Sequence, residues 1–138
     1  MHEGSCYNIF LSTISWDSAK DKCAELDSFL ISVHSMKEMN FVVSLADSKP
    51  VHGAWIGGRL ADGDSTKWVW VDKSEFSFTS WNKWYGGGEP SGDGACIQLR
   101  NEHNQLLTNW NDALCQTKFS YFCKKRPVGK WCKVEKMF

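Results

Sequence analysis

The stretch GEPSGDGACIQLRNEHNQLLTNWNDALC, residues 88–115, sets two kinds of segment side by side. Its first part strings together Glu89, Pro90, Ser91, Gly92, Asp93 and Gly94. It closes a longer run, WYGGGEPSGDG (84–94), that holds five glycines. Such a run builds neither helix nor strand, because glycine loses the most backbone freedom on ordering and proline lacks the N–H donor. A plain linker would need the glycines but not the acids, whereas a binding loop needs both. The second part changes character. ACIQLR (95–100) and QLLTNW (105–110) are runs of strand formers, and RNEHNQ between them reads as a hairpin turn. Cys96 and Cys115 frame both segments and would tie loop to strand if they pair.

Downstream, FSYFCK (119–124) reads as a further strand. Upstream, KWVWVD (67–72) is a strand preceded by the turn signal ADGDS, and AWIGG (54–58) is a short apolar strand expected to stop at its glycines. The region 73–94 keeps no sustained period. Before residue 50 the period becomes helical. Trp16, Ala19, Cys23 and Leu26 recur at spacings of three, four and three, one buried helix face with a cap near Thr13 or Ser15. FLISV (29–33) is expected to form a short buried strand. Ser35 with Glu38 three residues later reads as a capping box, opening a second helix with Met39, Val42, Val43 and Ala46 on one face and ending at or before Pro50. Two helices followed by many short strands give an α+β domain with a long irregular excursion in its second half. An excursion of that kind inside a compact domain is usually functional.

The chain has 138 residues, enough for one domain with a real core, and 42% of them are apolar. Sixteen basic and sixteen acidic residues cancel, so nothing marks it for nucleic acid. The basic end, KKRPVGKWCKVEKMF (124–138), reads as a solvated tail. Six cysteines without a C-x-x-C pair or finger-spaced histidines speak against structural zinc and for three disulfides in an oxidising compartment, with fifteen pairings open. No apolar run approaches a membrane span, so membrane insertion is not expected. No secretory apolar segment follows Met1, so a leader is expected to have been removed from a secreted, extracellular protein. The four histidines are scattered and the serines have no nucleophile elbow, so an enzyme is not expected.

The oxygen donors worth weighing are Glu89 and Asp93 in the loop and Asn111 and Asp112 in NWNDALC. A hard cation such as Ca²⁺ takes six to eight oxygens from carboxylates, amides, backbone carbonyls and water. A cis bond at Pro90 would turn Glu89 and Ser91 toward one point.

Taken in order, these segments resemble the C-type lectin-like domain from about Cys6 to Cys123. WIGG (55–58) is similar to the family's W-I-G core strand and WVWVD (68–72) to its W-x-W-x-D element. GEPS (88–91) is similar to its E-P-N loop, and WND (110–112), three residues ahead of Cys115, matches its other signature. The resemblance implies an α+β C-type lectin-like fold with two helices, short antiparallel β-sheets and a long loop region, braced by disulfides. Residues 1–126 would be the domain and 127–138 a C-terminal extension tied back by a disulfide. It implies the pairs Cys23–Cys123 and Cys96–Cys115, and, because the termini of this fold lie close together, Cys6–Cys132. Carried over by residue, it implies a Ca²⁺ site of Glu89, Asn111 and Asp112, with Ser91 in the asparagine position of E-P-N. The family places an acid two residues before the cysteine equivalent to Cys96, where this chain has Gly94. Asp93 could swing in, because Gly92 and Gly94 leave the backbone permissive. Weak, near-millimolar calcium binding is therefore expected. Acids near Asp62 and Asp64 have poor register for an auxiliary calcium site.

The sugar-binding set would be Glu89, Ser91, Asn111 and Asp112, with Trp84 and Tyr85 able to stack on a sugar face. Trp16, Trp55, Trp68, Trp70 and Trp110 are expected in the core. The E-P-N form goes with mannose, fucose or N-acetylglucosamine, and nothing here offers the galactose-type Gln and Asp pair. The expectation is a calcium-dependent carbohydrate-binding domain whose partners are glycans or glycoproteins. Its alternative is a calcium-independent, protein-binding domain of the same fold with a degenerate sugar site and a protein receptor as partner.

Overall fold

The computed structural model describes residues 2–82, 90, 92, 94–102, 105–126 and 132. Among them, the elements run β1 (Cys6–Ile14), α1 (Trp16–Glu25), β2 (Phe29–Leu30), α2 (Met36–Ser44), β3 (Gly53–Ala61), β4 (Asp64–Trp70), β5 (Cys96–Glu102), β6 (Gln105–Ala113) and β7 (Phe119–Lys125). The sheet is ordered β1-β7-β3-β5-β6, with β2 on β7 and β4 on β3. This is the α+β, C-type lectin-like architecture of two helices on short strands.

Both helices start where their caps dictate. Ser15 accepts from Ser18 N–H at 3.3 Å, and α1 buries Trp16, Ala19 and Cys23. Trp16 goes furthest in, its indole N–H donating to the Ile56 carbonyl at 2.9 Å. Ser35 caps α2 by accepting from Glu38 N–H at 3.0 Å. The Glu38 carboxylate does not close the expected capping box. It takes the His34 N–H at 2.8 Å and reaches Tyr7 and Lys124 instead. A capping contact is worth about 1 kcal/mol, and a buried carboxylate facing an ammonium group outweighs it.

β4 starts at Asp64, inside the expected turn, and ends at Trp70, and β6 runs on to Ala113; three further differences have a clear physical reason. β1 had no expected strand at all. Its burial alternates too poorly to show a period, and what makes it a strand is antiparallel pairing with β7 from Cys6↔Lys125 to Phe10↔Tyr121. β3 runs straight through Gly57 and Gly58 to Ala61. Those glycines admit neighbours rather than end the strand, since a Cβ on Gly57 would lie 2.5 Å from the Leu30 carbonyl oxygen and one on Gly58 2.3 Å from Ile97 Cδ1. FLISV keeps only Phe29–Leu30 as strand, with Phe29 exposed while Leu30, Ile31 and Val33 are buried. The sheet is also mixed, since β3 meets β7 in parallel at Ala54↔Ser120 and Trp55↔Tyr121.

Two buried clusters hold this frame. One gathers Ile31, Val33, Met39, Val42, Ile56, Trp70, Ile97, Leu99, Trp110 and Phe122, and the other gathers Trp16, Ala19, Leu30, Trp55 and Tyr121 around Cys23 and Cys123. Trp68 departs from the expected core set, being only partly buried against the first cluster. Disulfides join Cys23 to Cys123, Cys96 to Cys115 and Cys6 to Cys132. Apart from Cys132, the extension 127–138 lies outside the described residues.

Candidate functional site

β6 delivers Trp110, Asn111 and Asp112 in succession, and a strand's two-residue period sends neighbours to opposite faces. Trp110 is fully buried, with Trp70, Phe76, Phe78 and Trp81 edge-on around it at 5.4–5.9 Å between ring centroids. Asn111 turns to its register partner Gln98 on β5, its amide N–H donating to Gln98 Oε1 at 2.8 Å. Asp112 turns to the loop and is 1% exposed. Its Oδ2 accepts the backbone N–H groups of Gly92 at 3.0 Å and Gly94 at 3.1 Å. Hydrogen bonds to an ionised acceptor are the strong kind, so this carboxylate pins the end of the loop to β6.

The two glycines have separate reasons to be glycine. Gly92 has φ +90°, which side chains rarely adopt. At Gly94 a Cβ would stand 2.1 Å from the Ala113 carbonyl carbon. The acid that the family resemblance places at this position therefore has no room beside β6.

Asp112 forms one wall of an open cavity of about 410 Å³, with Leu60, Thr66, Trp68, Pro90, Gly92 and Gly94 among its other walls. The structure thus brings Asp112 to a cleft at the end of the acidic loop and leaves Asn111 across the ladder. Glu89, Ser91, Asp93, Trp84 and Tyr85 lie outside the described residues. The donor set of carboxylates, amide and hydroxyl is all oxygen, which suits a hard cation. Among the described residues no three His, Cys, Asp or Glu side chains stand together as metal ligands. Asp62 and Asp64 are engaged elsewhere, Asp62 with Arg59 at 3.1 Å and Asp64 with the backbone and hydroxyl of Thr66 at 2.9 and 2.6 Å. Leu60, Thr66, Trp68 and Gln98 were not singled out from the sequence for this site. Only the cross-strand register, which no local pattern displays, brings them to it.

The Lectin C-type domain family model matches residues 12–125. The chain belongs to the C-type lectin domain family. It is 32% identical over 127 residues to the galactose-specific lectin nattectin of Thalassophryne nattereri, covering 90% of this chain and 76% of that one. It is 36% identical over 130 residues to the hepatic lectin of Gallus gallus, covering 93% and 58%. The chain thus spans little more than half of the latter's length. Among solved structures, herring type II antifreeze protein superposes with TM-score 0.78 at 26% identity, covering 93% of this chain and 95% of that one. The SPL-1–GlcNAc complex superposes with TM-score 0.77 at 26% identity, covering 91% and 90%.

This C-type lectin domain carries a second polar cluster around Glu38, which is 4% exposed. Burial alone would raise its carboxyl. Hydrogen bonds from Lys124 at 2.7 Å, from Tyr7 and from the His34 N–H, with the Lys124 charge, hold it below the ordinary value. Burial and the same carboxylate push the Tyr7 hydroxyl far up. Next to it, Ser32 and Ser74 both donate to Asp72 at 2.5 Å while lying 3.2 and 3.1 Å from His34 Nε2. Their protons are committed to the carboxylate, so the ring stands as donor to the serine oxygens and takes no serine proton. The grouping ties β1, the segment between β2 and α2, α2 itself, the turn after β4 and β7 together.

Proposed function

We propose that this domain binds carbohydrate in the cleft beside Asp112, with calcium held among Glu89, Ser91, Asp93, Asn111 and Asp112. The observation that carries the reading is the Asp112 carboxylate, buried, clamping Gly92 and Gly94 and facing an open cavity. Bound calcium would supply direct coordination of two neighbouring sugar hydroxyls. The chain's own part is hydrogen bonding, its carboxylates accepting from those hydroxyls and its amide donating to them. Glu89 in GEPS favours mannose, fucose or N-acetylglucosamine over galactose. Of the relatives, nattectin is named galactose-specific and the SPL-1 structure contains N-acetylglucosamine, so both sugars belong in the test. Three disulfides suit an extracellular protein that meets glycans or glycoproteins. In this reading 1–126 is the binding domain and 127–138 an extension held by Cys132.

A second reading is calcium-independent binding, with a protein receptor as partner. It is favoured by the missing room for an acid at Gly94 and by the turn of Asn111 toward Gln98. Thermal melting with and without calcium separates the two. For a near-millimolar site, 10 mM calcium stabilises by about 1.4 kcal/mol, a rise of roughly 4 °C in Tm. That rise in the parent, its absence in Asp112→Asn, and glycan-array signal abolished by EDTA support the first reading. Unchanged melting together with glycan signal indifferent to EDTA overturns it.

A further inference from the structure

Not all of the tryptophan here is core. Trp68 on β4 and Trp81 are only partly buried against the core, with ring centroids 5.0 Å apart at 57°. Trp81 rests in turn on the buried Trp110 at 5.6 Å, so the pair is seated on the core rather than hung from a loop. With Phe76 these rings line an open groove of about 620 Å³, bordered by Lys67, Glu75 and Thr79. Thr66 and Trp68 belong to the walls of both this groove and the cavity beside Asp112, which makes the two adjoining. Each falls within the about 300–1,000 Å³ of small-molecule sites.

We infer that the groove is a second sugar subsite, taking the next residue of an uncharged oligosaccharide whose terminal residue sits beside Asp112. The inference rests on the carbohydrate reading above and adds the size of the ligand. A pyranose presents an apolar C–H face and a rim of hydroxyls. The indole and phenyl side chains give the groove an apolar aromatic wall, and Lys67, Glu75 and Thr79 offer donors and acceptors around it. A lipid chain would meet an ammonium group and a carboxylate at the rim, which it cannot satisfy. One lysine against one glutamate leaves the described rim without net charge, which matches a neutral sugar rather than a sulfated or sialylated one. Continuity through Thr66 and Trp68 sets the order, terminal residue at Asp112 and penultimate residue on the rings.

The test is titration calorimetry with methyl glycosides of mannose, N-acetylglucosamine and galactose, each against a neutral trisaccharide ending in the same sugar. The parent is compared with Thr79→Arg and Glu75→Arg, exposed positions whose larger side chains fill the groove without touching Asp112. For the sugar that binds, the trisaccharide should bind about three- to tenfold tighter than the methyl glycoside. Both variants should bring that ratio to one with the methyl glycoside Kd unchanged. A ratio of one in the parent, or enhancement that survives both variants, overturns the subsite and leaves the Asp112 site standing. Parent protein that binds none of the methyl glycosides, with or without calcium, overturns both.

Discussion

Two buried carboxylates divide the labour in this domain. Glu38 is met by side chains from both ends of the chain, Tyr7 on β1 and Lys124 on β7, and by one backbone N–H. Asp112 accepts backbone N–H groups from the end of a glycine-rich loop. The first arrangement locks elements that already have strand and helix partners. The second holds Gly92 and Gly94, which lie in neither strand nor helix, beside an open cleft. An ion pair between fixed elements makes rigidity. A carboxylate clamping backbone N–H groups gives a loop a defined end while leaving the neighbouring volume to a ligand.

If that division holds, the largest effect belongs to Glu38→Ala. It leaves the Lys124 ammonium, whose side chain is 17% exposed, without its carboxylate and with only the neutral Ser32 and Tyr7 beside it, and should cost about 3–5 kcal/mol. Denaturant unfolding would show it as a lower midpoint for the whole domain. Gly94→Asp, which puts an acid where the family resemblance expects one, comes next. Its Cβ collides with Ala113, so about 2–3 kcal/mol should be lost by denaturant unfolding, with no tighter calcium binding. A tighter calcium affinity would mean that the loop end is more pliable than the contrast allows. Asp112→Ala should cost about 1–3 kcal/mol. Amide exchange should quicken at Gly92 and Gly94 while the β1–β7 amides stay protected. Equal quickening at both places would erase the distinction.

Acid sharpens the same contrast. The folded Glu38 carboxyl lies below its ordinary value of 4.5, so its contribution is present above about pH 4.5 and is lost as pH falls through the lower, folded value. Asp72 is likewise lowered: burial opposes this, and the Ser32 and Ser74 hydrogen bonds prevail. The Tm of the parent should therefore drop below about pH 4.5, and Glu38→Ala should flatten that limb without abolishing it. Smallest of all, Asp62→Ala removes an exposed ion pair with Arg59 and should change stability by less than about 0.5 kcal/mol.

What the sequence displayed was whatever depends on near neighbours. Ser15 and Ser35 marked the helix starts, and the spacing of Trp16, Ala19 and Cys23 marked a buried face. β1 escaped notice because its strand character comes from β7, more than a hundred residues away. Gly57 and Gly58 looked like a stop because their neighbours, Leu30 and Ile97, are distant in sequence. The site divides along the same line. Asp112 could be singled out from WND, but the run of strand formers ends at Trp110, and only pairing with β5 through Ala113 extends the alternation that separates Asn111 from Asp112. The role of Gly94 was equally hidden, since a missing acid and a steric necessity look alike in one dimension.

The bond between Cys6 and Cys132 has a mechanical consequence. Its Cα atoms are 5.5 Å apart across a sequence separation of 126. Tension applied to flanking chain on either side enters and leaves through that single covalent link. The sheet and the cleft beside Asp112 carry none of it.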